Sequence, residues 1–328
     1  MRGSQLSLRQ LQIFCGVAAR GTTAAAAATV ALSQSATSAA LLELESVLGL
    51  PLFERIGKRL QLNDNGRALL PQARALLDGA DSIARWSKDS EAQIGRLRIG
   101  ASTTIGNYLL PAVLAAFRAT LNPAARHSLQ LQVTIANTEA VTRQVAAFEL
   151  DLGLIEGPCH EPDLAVRPWL EDELLVVAAP SDPIVPRRHQ PPVAAPMLRK
   201  ATWLLRESGS GTREIITQLL TPHLHEMRAG IEFGNSEAIK RATAHGLGIS
   251  CLSRYVVEDF LRSGQLVAPR TRLPRLTRRF HLVLHERKQR TRGLDLLIRY
   301  LQGWLPPGAG AGAGAGTGAD ARRPQARR

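Results

Sequence analysis

Residues 22–55 read Thr22-Thr-Ala-Ala-Ala-Ala-Ala-Thr-Val-Ala-Leu32-Ser33-Gln34-Ser35-Ala36-Thr37-Ser38-Ala-Ala-Leu41-Leu42-Glu-Leu44-Glu45-Ser-Val-Leu48-Gly49-Leu-Pro-Leu52-Phe53-Glu-Arg55. The alanine run is strongly helix-forming, and its small side chains let helices approach closely. A break at Ala31 to Ser33 follows, and Ser33 is placed to cap a second helix with Leu41, Leu44 and Leu48 as its core stripe. Helix, short turn, amphipathic helix is the helix-turn-helix pattern, whose second helix lies in the DNA major groove. Upstream, Leu8, Leu11, Ile13, Phe14 and Val17 share one side of a further helix between a Ser7 cap and a Gly21 stop.

Downstream, Phe53 to Leu62 reads as a short basic ribbon with Gly57 near its tip, a wing beside the second helix. Asn63 or Asp64 then caps a long helix, Asn65 to Ser90, with Leu69, Leu70, Leu76, Leu77, Ile83 and Trp86 as its apolar positions. Pro71 lies in its early turns, where it is tolerated. Such a helix needs a partner surface, and a second copy of itself is the simplest one.

From Gly95 the pattern changes to alternating strands and helices. Strands are expected at Arg96–Gly100, Leu129–Ile135, Leu150–Ile155, Leu174–Ala178, Thr202–Leu205, Ile231–Phe233, Gly248–Leu252 and Phe280–His285. Helices are expected at Tyr108–Ala119, Glu139–Phe148, Arg213–Leu220, Ser236–His245, Arg254–Arg262 and Leu294–Leu305, and Pro183–Pro196 as a surface loop. This alternation predicts α/β architecture with mostly parallel sheets, which bind ligands beyond the carboxyl ends of their strands. Residues 306–328, a Gly-Ala repeat ending in arginines, cannot bury a core and are expected to be a disordered tail.

The chain has 328 residues, 45% hydrophobic, and a formal charge of +13, which favours a polyanionic partner. Much of the excess lies at Arg262–Arg299 and in the tail, so charge alone does not locate a DNA surface. Cys15, Cys159 and Cys251 are odd in number and widely spaced, which argues for small buried hydrophobes in a reducing compartment. The N-terminus runs straight into a helix pattern with no export signal, and no apolar run of 18 residues is present, so a cytoplasmic chain without a membrane partner is expected. No cofactor is implied. His223, His225 and Glu226 are neighbours, but positions i and i+2 diverge on a helix, so no metal site is expected. Residues 208–211 lack the lysine of a phosphate-binding P-loop, and no Gly-x-Ser-x-Gly elbow is present, which disfavours an enzyme.

Ser33-Gln34-Ser35-Ala36-Thr37-Ser38, Leu44-Glu45, Leu48-Gly49, Leu52-Phe53-Glu-Arg55 and Gly66-Arg-Ala-Leu-Leu-Pro71 together resemble the LysR-type transcriptional regulators. Gly100-Ala-Ser-Thr-Thr-Ile-Gly-Asn-Tyr-Leu-Leu-Pro111 and Glu207-Ser-Gly-Ser-Gly-Thr-Arg-Glu214 resemble the branch controlling sulfur-assimilation and carbon-fixation operons, whose members respond to small oxyanions or phosphorylated or carboxylated metabolites. The resemblance implies a winged helix-turn-helix over 1–64 and a dimerising linker helix over 65–94. It implies a two-lobed α/β effector domain of the type 2 periplasmic-binding-protein kind over 95–305. Lobe I is expected at about 95–172 and 274–305, and lobe II at about 173–273. It further implies promoter DNA and RNA polymerase as partners, an assembly from homodimer to homotetramer, and DNA contacts that shift when effector closes the cleft. A solute-binding protein shares the lobe pattern but needs an export signal and no helix-turn-helix. In one place the chain departs from the family: where a basic residue often follows Ser38, Ala39, Ala40 and Leu42 stand here.

For DNA, Gln34 is the first candidate for base readout, because its amide matches the N6 and N7 edge of adenine. Ser35 and Thr37 are expected on the same exposed turn, touching base edges or a thymine methyl. Thr22, Ser33, Ser38, Arg55, Lys58 and Arg59 are expected at phosphates. For the effector, Ser102-Thr103-Thr104 and Ser208-Gly209-Ser210-Gly211-Thr212 each follow a strand and open a helix. Hydroxyl donors and close-approaching glycines at helix N-termini suit an anion held between the lobes. Asn137-Thr138 and Asn235-Ser236 occupy similar strand-to-helix positions.

Overall fold

A computed structural model describes residues 6–57, 59–86, 94–186 and 190–306. The N-terminal unit contains α1 (Leu8–Arg20), α2 (Thr23–Val30) and α3 (Gln34–Leu48), followed by the antiparallel pair β1 (Phe53–Ile56) and β2 (Arg59–Leu62). Its boundaries are set by local chemistry. Ser7, Thr22 and Ser33 each accept a backbone N–H of the helix they cap, and Gly21 and Gly49 end α1 and α3 in the left-handed region. Leu11, Ile13, Phe14, Val17, Ala26, Leu41, Leu44, Leu52 and Ala73 form one buried core.

Ala73 belongs to α4 (Asp64–Trp86), the long helix, which starts where Asn63 Oδ1 accepts the Gly66 N–H at 2.9 Å. The expected extension to Ser90 lies outside the described residues. Gly66 sits against the wing's base: a Cβ there would lie 2.2 Å from the Leu52 carbonyl oxygen and 2.7 Å from Leu62 Cδ2.

The remainder begins with β3 (Arg96–Ser102), α5 (Thr103–Tyr108), α6 (Leu110–Thr120), α7 (Pro123–Ser128), β4 (Gln130–Ala136), α8 (Thr138–Ala146) and β5 (Leu152–Ile155). It continues with β6 (Leu164–Val177), α9 (Ala195–Lys200), β7 (Thr202–Arg206), α10 (Gly211–Leu224), β8 (Arg228–Phe233) and α11 (Ser236–Ala244). It ends with β9 (Ser250–Ser253), α12 (Arg254–Arg262), β10 (Leu276–His285) and α13 (Arg292–Gly303).

The six-stranded sheet has the order β4-β3-β5-β10-β6-β9. β3 runs parallel to β4 and β5, but β10 is antiparallel to β5 and β6, and β6 is antiparallel to β9. The expectation of mostly parallel sheets is therefore corrected to a mixed sheet. β6 is also a 14-residue strand where only its last turns were expected, because Arg167, Pro168, Glu171, Asp172 and Glu173 mask its alternation. The expected helix Tyr108–Ala119 is α6, and an additional short helix, α5, precedes it across a break at Leu109, while α9 begins in the last residues of the expected Pro-rich loop.

Two sets of apolar residues pack on either side of this crossing. Ile99, Ile105, Leu152, Leu170, Phe280, Leu282 and Leu297 belong to the first core, with Val141, Val145, Ile155 and Val283 on the opposite sheet face. Leu174, Trp203, Leu205, Leu220, Cys251 and Leu276 belong to the second, with Leu204, Ile239, Leu252 and Val256 on its other face. β6 and β10 pass from one core to the other as an antiparallel pair whose register shifts once, between Arg279 and His281.

Gly66→Ala is expected to lower the stability of the winged unit by about 1–3 kcal/mol, the usual cost of overpacking against backbone. Urea denaturation followed by near-ultraviolet signals reads this. A native-like midpoint would show that the wing's base gives way freely.

Candidate functional site

The first candidate surface is α3 and the wing. Gln34 and Ser35 are exposed, and the Ser33 and Ser35 hydroxyls lie 3.0 Å apart. Ser38 is half-buried, and Arg55 and Arg59 are exposed on β1 and β2. Thr22 caps α2, and the Leu60 N–H donates to the Gly21 carbonyl at 2.8 Å, which fixes the wing beside that cap. Lys58 lies outside the described residues. Thr37 departs from expectation: it is fully buried and donates its hydroxyl to the Ser33 carbonyl at 3.0 Å, so it braces the helix and does not share the exposed turn. Its phase explains this, since Thr37 is in register with Leu41, Leu44 and Leu48.

The second candidate site is the seam between the two α/β cores. Arg206, at the end of β7, is buried. It donates to Thr103 Oγ1 at 2.6 Å and Ser236 Oγ at 3.2 Å, and pairs with Glu207 at 2.7 Å. Arg278, near the start of β10, is also buried. It donates to Asp172 Oδ2 and Thr212 Oγ1 at 2.7 and 2.8 Å, and reaches Glu156 and Thr104 at 3.3 and 3.4 Å. Thr212 in turn donates to Glu156, and Ser253 donates to Asp172. Burial pushes the Asp172 carboxyl up, against the opposing pull of Arg278 and Ser253.

Thr103, Thr104, Thr138, Ser210, Gly211, Thr212 and Ser236 are therefore brought together, each at or near a helix N-terminus. The two backbones touch here. A Cβ on Gly157 would lie 2.3 Å from Gly211 Cα, and one on Gly211 would lie 2.5 Å from Thr138 Oγ1. Ser102 Oγ and Thr138 Oγ1 are buried with no hydrogen-bond partner. An orphaned buried hydroxyl is costly, so these two are the groups at the seam with hydrogen-bonding capacity to spare.

The other expected residues sit at the rim. Asn137 and Asn235 spend their side chains capping α8 and α11, and Ser208 is exposed. Ser210 caps α10.

Arg206, Arg278, Glu156 and Asp172 escaped the sequence reading. Their signal was present: Arg278 alternates in phase with Leu276 and Phe280, and so faces inward. Among the described residues no group of three histidine, cysteine or carboxylate side chains is arranged to hold a metal. The three thiols are held protonated by burial, Cys15 pushed up to about 11 and Cys251 to about 12.

A third cluster joins the N-terminal unit to the first core. α4 turns Leu70, Ala73 and Leu77 toward the helix-turn-helix core, and its next face carries Arg74 and Asp78. Arg74 donates to the Ala147 carbonyl at 2.8 Å and pairs with Glu149 at 2.7 Å. Asp78 pairs with Arg98 at 2.9 Å and with Lys288. Arg98 and Lys288 both also pair with Asp151, at 2.7 and 2.8 Å. Burial alone would raise the Asp151 carboxyl, but Arg98 and Lys288 outweigh it and hold the group below its ordinary range.

Family models match both parts of the chain: the bacterial regulatory helix-turn-helix protein of the lysR family at residues 8–67, and the LysR substrate binding domain at residues 90–306. The regulator YeiE of Escherichia coli K12, itself described as uncharacterized, is 46% identical over 90% of this chain and 97% of its own length. The regulator CbbR of Rhodospirillum rubrum is 33% identical over 92% of this chain and 98% of its own. A full-length OxyR variant from Pseudomonas aeruginosa superposes with a TM-score of 0.72 at 22% identity, covering 90% of this chain and 95% of that one.

A carboxyl depressed in the fold adds stability that is fully present above its unfolded pKa and is lost as pH falls through the folded value. The pairs of Asp151 with Arg98 and Lys288 are therefore expected to hold at pH 5 and to fail only below the ordinary aspartate value of about 3.9. Hydrogen exchange of residues 96–100 and 151–155 against pH measures this, and Asp151→Asn should remove the acid limb. Opening between pH 5 and 7 would instead place control on a histidine.

Proposed function

The chain belongs to the LysR family of DNA-binding transcriptional regulators, and from that premise we propose that a small anion held between its two α/β lobes sets its promoter contacts. The family carries the helix-turn-helix and the effector domain together, which makes the chain a regulator and not an enzyme. A solute-binding reading has no use for the N-terminal match.

The observation that carries the anion is the pair of unpartnered hydroxyls, Ser102 Oγ and Thr138 Oγ1, buried where α5 and α8 begin. Arg206 and Arg278 already face three carboxyl groups, Glu207, Asp172 and Glu156, so the seam offers hydrogen-bond donors and helix N-termini in place of a free cation. Such a site suits a compact oxyanion, or a phosphoryl or carboxylate group, within reach of Ser102, Thr103, Thr104, Thr138, Ser210, Gly211, Thr212 and Ser236. On the DNA side, Gln34 and Ser35 read base edges, while Thr22, Ser33, Ser38, Arg55, Lys58 and Arg59 hold phosphates. Residues 1–64, 65–94 and 95–305 then act as reader, arm and sensor. We place this regulator in the cytoplasm, as a dimer or tetramer that works with RNA polymerase.

The signal has a physical route. β3 carries Arg98 at the arm and Ser102 at the seam. β5 links Asp151 to Glu156. β10 holds Arg278 at the seam and leads to Lys288 at the arm. Any shift of these strands moves the charges that grip Asp78.

Thermal melts against sulfite, sulfate, thiosulfate, O-acetylserine, phosphoglycolate, ribulose bisphosphate and NADPH test the site. A ligand of the folded state raises the melting temperature with its free concentration over its Kd. At least one anion is expected to do so, and Ser102→Ala with Thr138→Val should abolish the shift while leaving DNA binding intact. A flat panel, or a shift indifferent to both substitutions, removes the seam as the anion site.

The route is tested without a ligand. Gly211→Ala wedges the seam and is expected to change affinity for a duplex enriched from a random library by the native chain. In an Asp78→Asn background that change should largely vanish. Effects that add within about 0.5 kcal/mol would show that seam and arm are uncoupled through Asp78.

A further inference from the structure

α3 carries no lysine or arginine and two glutamates, so the recognition helix has no cation with which to hold a phosphate or a guanine. Its core face is Thr37, Leu41 and Leu44. Its outer face holds Ser35, Ala39 and Leu42, with Gln34 exposed at the helix start, and Leu42 is 64% exposed. At about 100° per residue Leu42 stands within about 20° of Ser35 and about 40° of Ser38. Whatever groove surface those serines meet, Leu42 meets about 10 Å further along the same line, roughly three base-pair steps away.

Val47 and Leu50 are the nearest exposed apolar residues to Leu42 in sequence, and Val47 points about 140° away around the helix. Glu45, the closer glutamate in phase, is tied inward, accepting the Leu52 N–H at 2.7 Å. The line Ser35–Ser38–Leu42 therefore presents an apolar end to the major groove, with no cation from α3 itself. The only apolar group on a base edge there is the C5-methyl of thymine.

We propose that Leu42, flanked by Ala39, is a specificity-determining residue that reads a thymine methyl in the major groove. The proposal rests on α3 being the DNA-reading helix. Phosphate anchoring then falls to the wing and the caps, and α3 supplies base contacts alone: an amide at its start and a methyl pocket two turns on. A longer basic side chain at position 42 would trade this reading for affinity to any sequence.

The test uses the full chain and the duplex it enriches from a random library. Each thymine is replaced in turn by deoxyuridine, which removes only the methyl. For the native chain, one thymine per half-site is expected to show a roughly three- to fivefold loss of affinity, the worth of about one buried methyl. In Leu42→Ala that uracil penalty should disappear at the same position, and Leu42→Met should restore it. Leu42→Arg should bind more tightly overall, with a steeper salt dependence and no uracil penalty. Leu42 is exposed, so these variants leave the core untouched. A uracil penalty unchanged in Leu42→Ala, no penalty at any thymine for the native chain, or a change of assembly state in Leu42→Ala without a change of base preference would each overturn the proposal. Failure to enrich any duplex would instead strike the placement of α3 in DNA.

Discussion

The Arg278–Asp172 ion pair, 2.7 Å long and fully buried, sits where β10 and β6 cross from one α/β core to the other. Everything beyond the first core hangs on those two strands. Isolating either partner would leave a buried unpaired charge, so the pair is tolerable only because its surroundings complete it. Ser253 and Thr212 come from the second lobe, and Glu156 and Thr104 from the first. The groups that satisfy Arg278 and Asp172 thus belong to both lobes, and any change in their relative placement is felt at that guanidinium.

The seam makes chemical use of this. Arg206 repeats the logic from the second lobe, bonding Thr103 across the gap and Ser236 on its own side. With both guanidiniums committed, the seam is electrostatically closed and its remaining demands are two hydroxyls. Both belong to the first lobe, so in the proposed reading a guest would favour the closed arrangement only through added contacts to Ser210, Gly211, Thr212 or Ser236 of the second. Such differential contact is what allows a ligand to shift a conformational equilibrium.

Much of this was legible in the chain, and the limits have physical causes. Helix starts were legible because Ser7, Thr22 and Ser33 cap them, and the ends of α1 and α3 because glycines take the left-handed region. The strand-to-helix hydroxyls were legible because a capping residue looks the same whether or not it also faces a ligand. That ambiguity is also why Asn137, Ser208 and Asn235 were grouped with residues that lie at the seam. The sequence predicts only the end of β6 because a strand spanning two cores must change from an apolar to a polar interior at the crossing, and Asp172 falls there. Arg206 and Arg278 were passed over because isolated arginines in strands normally face water; pairing across lobes is a tertiary fact. Thr37 was misplaced by type, since a hydroxyl can bond its own helix as readily as a base.

α4 carries the last step. A helix transmits displacement well only if both its contacts are on the same rigid turns, and here they are. Ala73 and Leu77 pack into the helix-turn-helix while Arg74 and Asp78, one residue on in each case, hold the first lobe. The apolar face is close-packed, with Ala73 fully buried, and the paired charges add directional geometry. The arm is therefore held in register by its polar face and attached to the reader by its apolar one. On the proposed route, that division would let a rearrangement of strands change where the reader sits without disturbing how it is folded.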